Sequence, residues 1–141
     1  MKKFGWIVAI CIAIVTVFSG CKRGDSVKGD NYEIGPDRMP SVTFVLGERE
    51  QTAYEEKDGV LKYTYKAQEE GYMDIYEYMS YLIDNCGGVV TVALNEGKAG
   101  ECEIAMESEE SGYVVKMGFE YEDDVYTITI SRIAGQIKKD V

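Results

Sequence analysis

The stretch Gly71–Cys86, GYMDIYEYMSYLIDNC, decides the fold because its apolar residues recur at helical spacing. They fall at i, i+4, i+7 and i+11 and are Ile75, Met79, Leu82 and Cys86, with Tyr72, Tyr76 and Ile83 beside them. The polar positions on the opposite side are Asp74, Glu77, Ser80, Tyr81 and Asp84. The stretch therefore predicts one amphipathic helix of about four turns. Gly87 and Gly88 follow, and a glycine there readily adopts the left-handed conformation that ends a helix.

Strand signals lie on both sides of this helix. The runs before it that are rich in β-branched and aromatic residues are Val42–Leu46, 52–56 and Val60–Lys66. Asp58-Gly59, between the last two runs, predicts a tight hairpin. The runs after the helix that alternate apolar and polar residues are 89–94, 101–107, 113–121 and 126–131. The tyrosines expected to point inward from these strands are Tyr63, Tyr65, Tyr113, Tyr121 and Tyr126.

These elements predict an α+β fold. Short turns make neighbouring strands antiparallel. A sheet with one apolar face then buries that face under the helix. We therefore expect a single antiparallel sheet of about six to seven strands with one amphipathic helix packed on one face, a two-layer sandwich.

The N-terminus has the three parts of a secretory signal. Lys2 and Lys3 are followed by an uncharged, mostly apolar run over 4–17 and then by Phe18-Ser19-Gly20-Cys21. This last run resembles the lipobox of bacterial lipoproteins. The resemblance implies removal of residues 1–20 and attachment of a diacylglyceryl lipid, with acyl chains such as palmitate, to Cys21. The alternatives are a transmembrane helix, which needs about 20 apolar residues, and simple secretory cleavage that leaves Cys21 free.

The lipobox resemblance implies a cell-membrane lipoprotein, lipid-anchored on the extracytoplasmic face of the cell envelope. Glycines and prolines among charges make residues 22–40 resemble a flexible linker. The expected organisation is a signal peptide over 1–20, a lipidated flexible tether over 21–40 and a small α+β domain over 41–141.

Charge and composition exclude several classes of function. The whole chain carries 15 basic and 25 acidic residues, a net charge of −10. Loss of Lys2 and Lys3 with the signal leaves 13 basic residues and a net charge of −12. Such an acidic protein repels phosphates, so we expect no nucleic-acid partner. The chain has no histidine, the commonest general base and metal ligand, and no Gly-x-Ser-x-Gly motif. We therefore predict a non-enzymatic protein with no cofactor, no catalytic residue and no metal site.

Two cysteines, Cys86 and Cys102, remain in the predicted domain. Matching apolar faces across the hairpin after the helix places Leu94 opposite Cys102 and Val90 opposite Met106. Cys86 then lies about 13 Å from Cys102 along the ladder, whereas a disulfide needs Cα atoms within about 7 Å. Both cysteines are therefore predicted to be free, buried thiols.

Two surfaces are candidate binding sites. Tyr78 and Tyr81 are predicted to form an exposed pair on the helix, and exposed tyrosines are common interface anchors. The residues expected on the outer sheet face are Lys62, Thr64, Lys66, Glu103, Lys116, Glu120, Thr127 and Thr129. That face suits a plain solvated surface or a shallow protein- or glycan-binding one.

The predicted function is binding of an envelope protein or glycan. The alternatives are a cell-wall hydrolase that uses carboxylates, which needs two acids about 5–9 Å apart, and a solute- or ion-sensing module. The Glu122-Asp123-Asp124 turn lacks the spaced acidic loop of calcium sites, so we interpret it as a solvated turn.

Overall fold

The computed structural model describes residues 27–28 and 31–137, and the elements named here belong to that part of the chain. In chain order they are β1 (Val27–Lys28), β2 (Asn31–Ile34), β3 (Asp37–Pro40), α1 (Val42–Leu46), β4 (Glu50–Lys57), β5 (Val60–Lys66), α2 (Gly71–Cys86), β6 (Val89–Val92), β7 (Ala99–Glu107), β8 (Tyr113–Glu122) and β9 (Val125–Ala134). None of the helices among these residues has the length and hydrophobicity needed to cross a bilayer.

The main layer is a six-stranded antiparallel sheet in the order β4-β5-β9-β8-β7-β6. One face, here called the inner face, carries the buried apolar residues of every second position and is covered by α2. The other, the outer face, carries the intervening residues, which are mostly polar, together with a few apolar ones such as Ala105 and Val114. The predicted α+β class with an antiparallel sheet and a packed helix is confirmed in outline. A separate small sheet of β1, β2 and β3 was not predicted.

Two hairpins fix the register of the main sheet. Lys57 pairs with Val60, and the two residues between them, Asp58 and Gly59, both have positive φ angles, 55° and 80°. Positive φ at both central positions is the requirement of a type I′ turn, whose twist matches that of the strands. The predicted Asp-Gly hairpin is therefore confirmed. A second two-residue loop joins Glu122 to Val125.

Helix α2 has the predicted bounds, but the face that it buries is rotated from the predicted one. Its buried residues are Gly71, Asp74, Ile75, Tyr78, Met79 and Leu82, whereas Tyr76 is 57% exposed. Asp74 can be buried because Arg49 Nε lies 2.7 Å from its Oδ2, and the Tyr126 hydroxyl donates to the same oxygen. The helix ends at Gly87, which has φ 73°, as predicted.

The predicted strand at Val42–Leu46 is wrong, because these residues form the short helix α1. Ser41 begins it, and its Oγ accepts a hydrogen bond from the Phe44 amide at 3.2 Å. A serine at this position satisfies an amide that the first turn of a helix leaves free. This local cap overrides the strand preference of the β-branched residues that follow. Only Val42 of this helix is fully buried.

The predicted boundary between tether and domain at residue 41 is also wrong. Residues 31–40 form β2 and β3, in which Tyr32 and Met39 are buried. The Tyr32 ring stacks on Tyr63 with centroids 4.5 Å apart, and its hydroxyl hydrogen-bonds to that of Tyr65. The aromatic contact outweighs the linker-like composition of this segment. Cys21 and the rest of the predicted tether lie outside the described residues, apart from the backbone of 27–28.

The two cysteines of the domain are unpaired, as predicted. The predicted register was wrong by two residues at Val90, which pairs with Ile104 instead of Met106. After a bulge it was wrong by one residue at Val92, which pairs with Glu103. Cys102 is buried, with its Sγ 3.4 Å from Met79 Sδ. Burial, with a smaller contribution from Glu101, raises the pKa of the Cys102 thiol to about 11. Cys86 is half-buried rather than fully buried.

Candidate binding groove on the outer sheet face

A row of four residues crosses the outer face from strand to strand. Thr129 of β9 pairs with Gly118 of β8, Gly118 pairs with Glu103 of β7, and Glu103 pairs with Val92 of β6. Paired residues point to the same side of a sheet. Because this row has a glycine at its centre, it forms the floor of a groove that runs across the strands.

The groove has a volume of about 260 Å³ and is open to solvent. One wall is the neighbouring row of Glu120 and Glu101, which are paired across β8 and β7. The other wall is the row of Ser131 and Lys116, paired across β9 and β8. The groove therefore combines one hydroxyl group and one lysine on one side with two carboxylates on the other.

Gly118 keeps the floor open, and the backbone does not require a glycine there. A Cβ added at Gly118 would meet no atom within 4 Å, and its φ is not positive. Gly100 of the neighbouring strand differs, because its Cβ would lie 2.7 Å from the Tyr121 hydroxyl oxygen. A glycine inside a strand costs about 0.5–1 kcal/mol relative to alanine. The glycine at position 100 is explained by the steric clash that it avoids. The glycine at position 118 avoids no clash, and its effect is to leave the groove floor empty.

The acidic residues of the groove differ in whether a cation pairs with them. Lys116 Nζ lies 3.7 Å from Glu103 Oε1, and the Thr91 hydroxyl donates to the same oxygen at 2.6 Å. Glu101 and Glu120 stand directly opposite each other, and no cation among the described residues pairs with either. Like charges in directly opposed positions destabilise a sheet. The carboxylate wall therefore offers uncompensated negative charge to a ligand.

Tyr78 does not belong to an exposed interface, so that prediction is wrong. Its side chain is buried, and its hydroxyl donates to the Pro40 carbonyl at 2.6 Å. Burial raises the pKa of Tyr78 well above its usual range. Tyr81 is half-buried and meets the exposed ring of Phe44 edge-on, with centroids 6.4 Å apart. Its role as an interface anchor stays a prediction, with Phe44 rather than Tyr78 beside it.

The outer-face prediction was more useful. Four of its residues, Glu103, Lys116, Glu120 and Thr129, come together around the groove. The predicted residues that lie outside the groove lining are Lys62, Thr64, Lys66 and Thr127. Sequence reasoning missed Gly118 and Glu101. A glycine interrupting the alternation of β8 was the available signal, since a strand interior rarely favours one.

Within residues 27–28 and 31–137, no group of three or more cysteine, aspartate or glutamate side chains is placed to hold a metal ion. No family model, curated protein or solved structure matches the chain.

Proposed function

We propose that the chain is a membrane-anchored, extracytoplasmic lipoprotein whose domain binds a protein or another component of the cell envelope without catalysing a reaction. The lipobox-like run ending at Cys21 supports the anchor. The groove on the outer sheet face supports the binding role.

A single observation carries the binding proposal, namely the groove floor at Gly118 beside the uncompensated pair Glu101 and Glu120. Both features reduce the stability of the sheet, by about 0.5–1 kcal/mol for a strand glycine and about 0.2–1 kcal/mol for the opposed charges. Neither is required by the fold. A ligand that fills the floor and neutralises the wall accounts for both.

In-cell photo-crosslinking tests the binding role. A photoreactive amino acid at Thr129, beside the groove floor, should capture a defined partner, and the same amino acid at Thr52 on β4 should not. Gly118→Val fills the floor and should abolish the capture, while the fold keeps its stability because a Cβ there meets no atom. Equal capture from Thr52, or full capture in G118V, would refute binding at the groove. A crosslinker at Tyr81 examines the other predicted surface in the same cells.

Metabolic labelling tests the anchor. A palmitate analogue should label the full chain, and Cys21→Ser should abolish the label. Cys86→Ser is the matched control, because Cys86 belongs to the folded domain. Label that persists in C21S would contradict the proposed attachment site.

A second candidate function is a wall hydrolase that uses the groove carboxylates. Glu101 and Glu120 are directly opposed, with Cβ atoms about 4.5–5.5 Å apart. Their flexible side chains can therefore reach the separation of about 5–9 Å between carboxyl groups that paired glycosidase acids need. Glu120→Gln should then abolish release of sugar from purified wall polysaccharide, whereas Glu122→Gln should not. No release by the unaltered chain would refute this candidate.

A further inference from the structure

The strand β6 is a free edge of the main sheet with an unusual composition. It is the last strand in the sheet order, so among the described residues its outer side has no neighbouring strand. Its sequence is Val-Val-Thr-Val, and Val89, Val90 and Val92 are 40%, 45% and 44% exposed. Edge strands present unpaired amide and carbonyl groups, which proteins usually protect with charged residues. β6 carries no charge.

The other free edge shows the usual protection. β4 spans Glu50–Lys57 and carries three glutamates and a lysine in eight residues. The chain therefore protects one edge with charge and leaves the other uncharged, although its net charge of −10 makes acidic residues abundant. A free uncharged edge is a surface on which an extended peptide can add a strand.

The two faces beside β6 differ in chemistry. Val90 pairs with Ile104, which is fully buried, so Val90 lies on the inner face that α2 covers. Val92 pairs with Glu103 and lies on the outer face, in the row of the groove. A bulge at Thr91 turns its hydroxyl to Glu103 on that same outer face. On the inner face, a strand added at β6 would thus meet apolar groups. On the outer face it would lie beside Val89 and Val92, with the acidic groove beginning at Glu103 of the next strand.

Charge decides which kind of strand fits. A second copy of this chain, added edge to edge, would bring a second acidic groove to the same sheet, and like charges across an interface disfavour association. A strand added beyond β6 lies about 10 Å from β7, at two strand spacings. Extended lysine and glutamate side chains together bridge this distance. Basic side chains on the outer face can therefore reach Glu101 of β7, whereas Glu120 of β8 lies one strand spacing further from the edge.

We infer that β6 binds an extended segment of a partner protein by strand addition, and that the segment alternates apolar side chains toward α2 with basic side chains toward the groove. This inference rests on the proposed binding function and names its partner class. Backbone hydrogen bonds to β6 supply affinity, the contact beside Val90 selects the apolar positions, and Glu101, whose negative charge is reinforced by Glu120 opposite it, selects the basic ones.

Synthetic peptides added to the full chain in detergent micelles test the inference. The probe is a heptapeptide of alternating lysine and valine. The controls are a peptide with the same composition in two blocks and an alternating glutamate–valine peptide. We expect the alternating basic peptide alone to slow amide hydrogen exchange in Val89–Val92. Glu101→Gln with Glu120→Gln should weaken its binding by about 2- to 20-fold, since each exposed ion pair contributes little.

Matched lysine substitutions separate the two edges. Val90→Lys places a charge beside the apolar side chains of the peptide and should weaken binding at least about tenfold, whereas Ala53→Lys on β4 should leave it unchanged. Equal binding of the block or glutamate peptide, binding without protection of β6, or no binding of any peptide would each overturn the inference. The crosslink at Thr129 is independent of these peptides. A crosslink at Thr129 without slowed exchange in β6 would refute strand addition and leave the groove function standing. Absence of the crosslink would refute the proposed groove function.

Discussion

Replacing Glu120 by glutamine should make the domain more stable and its groove weaker at binding. Glu120 stands directly opposite Glu101 with no cation paired to either. Two unit charges about 6 Å apart in water repel by about 0.7 kcal/mol, and directly opposed cross-strand pairs contribute about 0.2–1 kcal/mol. We expect Glu120→Gln to raise the free energy of unfolding by about 0.5 kcal/mol and Tm by about 2–4 °C.

Glu122→Gln is the matched control for this prediction. Glu122 lies on the same strand and the same face, but it faces Ala99 instead of a glutamate. Both variants remove one negative charge from the acidic chain, so the difference between them isolates the opposed pair. Thermal unfolding followed by circular dichroism at low salt measures that difference.

Salt and a double-mutant cycle sharpen the test. The screening length falls to about 3 Å at 1 M salt, so the excess stability of E120Q over E122Q should disappear there. In a Glu101→Gln background the excess should also disappear, because the repelling partner is gone. If E120Q is no more stable than E122Q at low salt, or if the excess survives in either condition, the carboxylate wall does not carry uncompensated charge.

Three further predictions concern the core. Asp74→Ala leaves the buried Arg49 guanidinium unpaired, so chemical denaturation should show a loss of about 3–5 kcal/mol in the free energy of unfolding. In a variant with Cys11→Ser and Cys21→Ser, a thiol reagent should label Cys86 before Cys102 in the native state, because burial raises the pKa of Cys102 to about 11. After unfolding, both thiols should react without added reductant. Burial raises the pKa of the core tyrosines, so the unfolded chain loses their protons near pH 10 while the folded chain keeps them. Stability should therefore fall above about pH 10, with tyrosinate absorbance rising together with unfolding; a tyrosinate signal that precedes unfolding would contradict this.

Sequence patterns predicted the parts of the fold that depend on local periodicity. The spacing from Ile75 to Leu82 gave the helix, and Asp58-Gly59 gave the hairpin, because helical periodicity and type I′ turns are encoded within a few residues. Inward positions followed from alternation except at Tyr113 and Val92. Tyr113 is exposed, and Arg132 Cζ lies 4.4 Å from the centroid of its ring. Val92 lies on the outer face opposite Glu103, because a bulge shifts the register after Val90.

The errors came from contacts between distant parts of the chain. Tyr32 is held by rings and hydroxyls of β5, which no linker-like composition reveals. Asp74 is buried by Arg49, a partner 25 residues away. Gly118 and Glu101 become neighbours only through the register of four strands, which the sequence does not reveal. Only the polar character of the groove could therefore be predicted from the sequence.

Because residues 31–40 belong to the folded domain, they cannot serve as a flexible linker, and the domain must stay closer to the proposed lipid anchor than the sequence predicted. If Cys21 carries the proposed lipid, five residues separate the anchor from Val27 of β1, which pairs with β2, a reach of at most about 20–22 Å when fully extended. The groove then stays within a thin layer next to the bilayer and does not reach across the full depth of the envelope. A partner in the same layer is met at a high effective concentration. A shallow, open groove of modest intrinsic affinity is sufficient under those conditions.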